Sequence, residues 1–139
     1  MAKETTRTIA KAEIPLFEKT EAQLEGFYED IGTFAKKKPD DPVNKFKLGF
    51  INQTLEIATK LLKDGYRPFP DFDKFDIESL PTNSDVVTIL SQYLRAMDQY
   101  RKDHTSQYSA FHYWELSENK NKRREDSENI RAKPPKHFH

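Results

Sequence analysis

The sequence predicts an all-α fold, an antiparallel three-helix bundle with a long ordered aromatic loop between its second and third helices and a short fourth helical segment. Three observations carry that expectation. Apolar residues recur at steps of three and four along three stretches, the spacing that puts side chains on one face of an α-helix. Each stretch is bounded by residues that cap a helix or by residues that stop one. No run of β-branched residues alternates with polar ones over the length of a strand.

The first helix is predicted from 20 to about 37. Thr20-Glu21-Ala22-Gln23 has the form of a capping box, in which the threonine hydroxyl and the Gln23 side chain satisfy each other's backbone N–H. Leu24, Phe27, Tyr28, Ile31, Phe34 and Ala35 follow as one stripe. Lys36, Lys37 and Lys38 then complement the negative end of the helix dipole, and Pro39 blocks continuation.

The second helix is predicted from 42 to 64, with Asp41 as its cap and Pro42 at a first position whose N–H would be unpaired in any case. Its stripe is Val43, Phe46, Phe50, Ile51, Leu55, Ala58, Leu61 and Leu62, and Gly65 is placed to supply a left-handed residue past the end. The connection between the first two helices is so short that they must lie antiparallel.

Ser84-Asp85 opens the third helix, whose stripe of Val86, Ile89, Leu90, Tyr93, Leu94, Met97 and Tyr100 is the most regular in the chain. The period weakens through His104, Tyr108 and Phe111, where Thr105, Ser106 and Ser109 are poor helix formers. A kink at 104 to 106 and a short helical segment to about 116 are expected. Beyond it, residues 117–139 hold a single aliphatic branched residue, Ile130, too little to offset the entropy of ordering. The domain layout that follows is a flexible arm over 1–13, a helical domain over 14–116 and a disordered basic tail over 117–139.

Composition narrows the class. The absence of cysteine removes disulfides and thiolate zinc sites. The N-terminus lacks the apolar run of a secretory signal and no stretch is apolar enough to span a bilayer, so a cytoplasmic protein without membrane attachment is expected. Net charge is zero but uneven, with seven Lys/Arg against four Asp/Glu over 117–139.

The loop between the second and third helices, reading YRPFPDFDKFDIESLP over 66–81, is the first candidate site. Its aromatic area is too large to leave in water, so it is ordered by packing. Phe72 and Phe75 are expected as plugs of the bundle, and Phe69, held extended by Pro68 and Pro70, as the exposed anchor for a partner. Asp71, Asp73 and Asp76 imitate the start of a calcium loop, but Phe75, Asp76 and Thr82 occupy the positions that need an oxygen ligand, a glycine and a glutamate.

The second candidate is the cluster Tyr108, Phe111, Tyr113 and Trp114, an anchor for a protein interface or a set of stacking rings. Lys120, Lys122, Arg123 and Arg124 would join it if the ligand were a nucleic acid. Glu21, Glu25 and Glu29 form a carboxylate ridge without an opposing acidic pair, and are expected as a solvated helix face. His104 and His112 would differ by about 80° around a continuous helix, too much for one two-ligand face. With no catalytic motif, the sequence points to a non-catalytic interaction or regulatory module that needs neither metal nor cofactor and binds a protein partner or itself. A nucleic-acid-binding accessory subunit is the alternative, and a metal-dependent hydrolase the third.

Overall fold

The computed structural model describes residues 7–136. They belong to two compact units, one of residues 17–97 and one that joins residues 1–16 to 98–139. The fold is mostly helical, with three long helices and a small antiparallel sheet.

Three helices shape the unit of residues 17–97: α1 (Ile14–Lys37), α2 (Lys45–Tyr66) and α3 (Asn83–Asp103). All three were expected, but their starts differ from the sequence reading. Thr20 is not a cap; it lies inside α1 and is buried. Phe17, fully buried, extends the stripe of Leu24 and Ile31 upstream by one further heptad step, and Pro15 is tolerated because it falls in the first turn.

The cap of α2 is Asn44, whose side-chain oxygen accepts the Lys47 N–H at 3.1 Å. Asp41 and Pro42 serve a different purpose. The stretch 41–43 is extended and pairs with 81–83: Val43 N–H donates to the Pro81 carbonyl at 2.9 Å and Asn83 N–H to the Asp41 carbonyl at 2.8 Å. At the other end of α2 the positive φ falls on Lys63 (58°) and not on Gly65.

α3 opens with a reciprocal cap at Thr82, two residues before the expected Ser84. Asp85 N–H donates to the Thr82 hydroxyl at 3.1 Å, and Thr82 N–H to the Asp85 carboxylate at 3.3 Å. Asn83 completes the junction by donating from its amide to the Lys38 carbonyl at 2.9 Å, next to the C-terminal end of α1. Leu48, Ile51, Leu55, Ala58 and Leu62 of α2 bury against Leu24, Ile31, Val86, Leu90, Tyr93 and Met97 as one core. Phe50 was expected there and is 47% exposed, with Phe46 at 75%. The apolar stripe of α2 is wider than the core it serves: Phe46 and Phe50 lie about 180° and 140° around the helix from Leu55.

In the other unit the expected fourth helical segment is replaced by a hairpin. Strands β1 (Thr105–Tyr108) and β2 (Phe111–Trp114) pair antiparallel, and β3 (Arg131–Ala132) adds to the far edge of β2. The physical cause is local. Thr, Tyr, Phe and Trp suit a pleated surface, and Ser109 takes a φ of 60° in the two-residue turn, which ends any helical path. The all-α expectation therefore gives way to a mostly helical chain with a three-stranded sheet.

The terminal segments have defined pairings within this unit. Ile9 bridges Leu116 in parallel, its N–H donating to the Glu115 carbonyl and its carbonyl accepting from Ser117 N–H, both at 2.9 Å. The Lys11 N–H donates to the Glu118 carboxylate at 3.0 Å, which holds that carboxyl below its usual range, and Lys11 Nζ meets Glu128 at 2.6 Å. Residues 117–136, read from sequence as tail, carry 3-10 turns at Ser117–Asn119 and Arg124–Asp126 before β3. Residues 1–6 of the arm and 137–139 of the tail, with His137 and His139, lie outside the described residues.

Candidate interaction surfaces

The loop of 67–82 is held by polar clamps as much as by its rings. Asn52, buried on α2, donates from its amide to the Phe75 carbonyl at 2.9 Å and accepts the Phe75 N–H at 2.8 Å. Arg67 donates from Nε to the Phe69 carbonyl at 3.0 Å and from its terminal nitrogen to the Phe72 carbonyl at 2.9 Å. A loop has no partner strand to satisfy its backbone, and these two side chains take that role.

The rings stack edge to face in sequence. Phe69 and Phe72 have centroids 6.2 Å apart, Phe72 and Phe75 5.1 Å, and Phe72 reaches Tyr93 of α3 at 6.4 Å. Below them the Tyr93 and Thr59 hydroxyls lie 2.7 Å apart, with the Phe72 carbonyl 3.3 Å from Tyr93 and the Leu55 carbonyl 2.9 Å from Thr59 as further acceptors. Burial raises the Tyr93 pKa, against the opposing effect of that bond to Thr59. All three phenylalanines are half-buried, so Phe69 is not set apart from Phe72 and Phe75 by exposure.

The second cluster is sorted by the strand alternation. Thr105 pairs with Trp114, Ser106 with Tyr113, Gln107 with His112 and Tyr108 with Phe111. Because side chains alternate between faces, Tyr108, Phe111 and Tyr113 share one face and Trp114 takes the other. Trp114 is 2% exposed, with the Arg101 guanidinium 5.2 Å from its ring centre, and is unavailable to a ligand. On the outward face Tyr108 and Phe111 are exposed and Tyr113 is half-buried. Arg131, opposite Tyr113 on β3, brings its guanidinium to 3.7 Å from the Phe111 ring centre. Three aromatic side chains and an arginine thus form one surface.

Of the basic residues, Lys120, Lys122 and Arg123 are exposed, and Arg123 pairs with Glu125. Arg124 belongs to the turn Arg124–Asp126. His104 does not join His112: its ring is buried, stacked at 3.7 Å on Tyr100, with Nδ1 2.7 Å from the Tyr100 carbonyl. Burial, aided by the charge of Glu13, pushes the Tyr100 hydroxyl up to about 12. Glu21, expected on a solvated ridge, is buried. Among the described residues no group of three His, Cys, Asp or Glu side chains could hold a metal ion, and no helix is long and apolar enough to cross a membrane.

Among the described residues of the unit 17–97, two hollows stand out. One, of about 180 Å³, is lined by Ile31, Phe34, Pro42 and Val43 with Lys38 and Lys47 at its edge. The other, about 360 Å³, is a shallow groove between α2 and the loop, with Glu56 and Lys74 paired at 3.3 Å among its lining residues. The first is smaller than the roughly 300 Å³ at which small-molecule sites begin, and the second is an open trough.

Two features of these surfaces have no direct signal in the sequence. Arg131 had no signal, since its place beside Phe111 depends on β3 returning to β2. Phe46 and Phe50 share the spacing of the core stripe yet are exposed. No protein-family model matches the chain, and no curated protein and no solved structure matches it.

Proposed function

We propose that the chain is a non-catalytic interaction module that binds a protein partner through the outward face of its small sheet. The observation that supports this reading is the gathering of Tyr108, Phe111, Tyr113 and Arg131 on one accessible surface. Tyrosine and arginine are the residue types that dominate binding energy at protein interfaces, since each brings a rigid, largely apolar body and a polar end. Phe69 of the loop is an adjunct anchor, because its ring is half-buried and packs edge to face on Phe72.

Affinity capture with the whole chain tests this, using wild type beside a Tyr108→Ala/Phe111→Ala variant, each with and without nuclease. A discrete protein recovered by wild type in both conditions and lost by the variant is the expected result. The reading fails if the variant captures as well as wild type.

A second reading, single-stranded nucleic acid on the same face, is favoured by one observation: Arg131 already stacks on a ring, and the exposed Lys120, Lys122 and Lys133 lie in the same segment of chain. Nuclease-sensitive recovery would select it.

A further inference from the structure

The outer face of the α1–α2 hairpin carries apolar surface that the fold does not use. Phe46 is 75% exposed and Phe50 47%, their rings edge to face at 5.0 Å, and Ile57 continues the ridge along α2 at 36%. Such a ridge on a polar chain is expected to be covered.

The register of the hairpin sets this ridge beside the outer face of α1. Thr54 hydrogen-bonds Gln23 at 3.4 Å and Lys47 meets Asp30 at 3.6 Å, which fixes α1 and α2 antiparallel with Phe27 level with Phe50. The neighbouring outer positions of α1 are small: Ala22, Gly26 and Thr33 are all exposed, and a Cβ added at Gly26 meets nothing within 4 Å. One helix therefore offers a bulky ridge and the other a shallow channel at the same height. Between ridge and channel runs the Lys47–Asp30 pair at 3.6 Å, both side chains about half exposed, with Glu29 exposed next to it.

We propose that this face docks onto a second copy of the chain, the two hairpins stacking about a two-fold axis parallel to their helices. That operation lays α2 of each copy over α1 of the other and preserves height. Phe50 then enters the channel at Gly26 of the second copy, Ile57 sits near its Ala22, and the Lys47–Asp30 pairs of the two copies, which lie in the groove between the helices, come side by side with opposite charges facing. An isologous contact requires such self-complementarity, and the product is an antiparallel four-helix bundle. The face is about 33 Å long and about 20 Å wide, roughly 660 Å² in projection, close to the ~800 Å² that each partner contributes to a standard interface. The proposal involves none of the sheet residues, so its outcome is independent of the reading of that face.

Sedimentation equilibrium on the full chain decides it. At roughly 100 μM the wild type is expected to be dimeric. Phe46→Ser/Phe50→Ser is expected to weaken the dimer by at least about 100-fold. Gly26→Leu is the second variant: its site is open in the single copy, so the helix content and melt survive while the channel is blocked and the dimer is lost. A monomeric wild type overturns the proposal, also if cross-linking finds a different protein over Phe46. So does a dimer that persists in folded Gly26→Leu.

Discussion

In the loop between α2 and α3 three phenylalanines lean on each other and on Tyr93, while their backbone is tied by Asn52 and Arg67. In the β1–β2 hairpin the backbone is satisfied by strand pairing, and Tyr108 and Phe111 face outward. Both segments are aromatic and non-helical, yet the rings of one are half-buried against each other and Tyr93, while Tyr108 and Phe111 of the other are exposed. The difference follows from what satisfies the peptide groups. A loop must borrow side chains for its N–H and C=O groups, and those clamps draw its rings inward; a hairpin satisfies itself and leaves one face open.

The largest way to break this contrast is to remove the loop's clamp. Asn52→Ala leaves the Phe75 N–H and carbonyl without their partner in a partly dry site, and should cost about 2–4 kcal/mol in a denaturant melt. No single residue on the outward face of the hairpin has that leverage. A loss below half a kilocalorie would show that the loop is held by its rings alone.

Ring truncation should follow the same order. Phe72 touches Phe69, Phe75 and Tyr93, so Phe72→Ala should lose about 2 kcal/mol, less than a fully buried phenylalanine. Phe111→Ala gives up exposed area and its contact with Arg131, and should lose no more than about 0.5–1 kcal/mol. Equal losses would mean that the outward face is itself packed.

Much of this was legible in the sequence, and the particular residues show where legibility stopped. Three helices were found because Leu24, Ile31, Leu55, Leu62, Leu90 and Met97 keep strict helical spacing and lie in the core. Phe50 fits the same spacing and lies outside, since periodicity gives the direction of a stripe but not the width of the surface that receives it. The hairpin was read as helix because Tyr108 and Phe111 are three apart, a step that serves a helix or the two sides of a tight turn. Of the site, the rings could be listed from sequence, but only strand register separates Trp114 from Tyr113, and only a long-range return brings in Arg131.

Alkaline titration compares the two buried tyrosines, Tyr93 beneath the loop and Tyr100 in the unit that carries the hairpin. Burial raises both, Tyr100 to about 12. An unfolded tyrosine loses its proton near pH 10, whereas the folded state holds it, so above pH 10 the unfolded state binds fewer protons and stability falls as pH rises. For Tyr100 the contribution is fully present below pH 10 and is lost as pH rises to about 12. Tyr100→Phe should flatten part of that decline, measured as the change in melting midpoint between pH 9 and pH 11 against wild type. An unchanged slope would assign the decline to Tyr93 or to other groups.

The smallest effect tests the turn that makes the hairpin possible. Ser109 holds a φ of 60°, where an L side chain is strained by about 1 kcal/mol, while its neighbour Ala110 does not have a positive φ. Ser109→Gly removes the strain but adds freedom to the unfolded chain, and the two nearly offset, leaving a gain of up to about 0.5 kcal/mol. Ala110→Gly adds the same freedom with no strain to relieve, so it should cost about 0.5–1 kcal/mol. The opposite signs matter more than the sizes, because any general loosening of the hairpin would move both variants the same way. Hydrogen exchange at the Trp114 amide, which donates to the Ile130 carbonyl at 2.9 Å, reports on β2 and β3 together. Slower exchange in Ser109→Gly with faster exchange in Ala110→Gly would place the stability of the outward face in its turn. Equal exchange in both would place it in the pairing with β3.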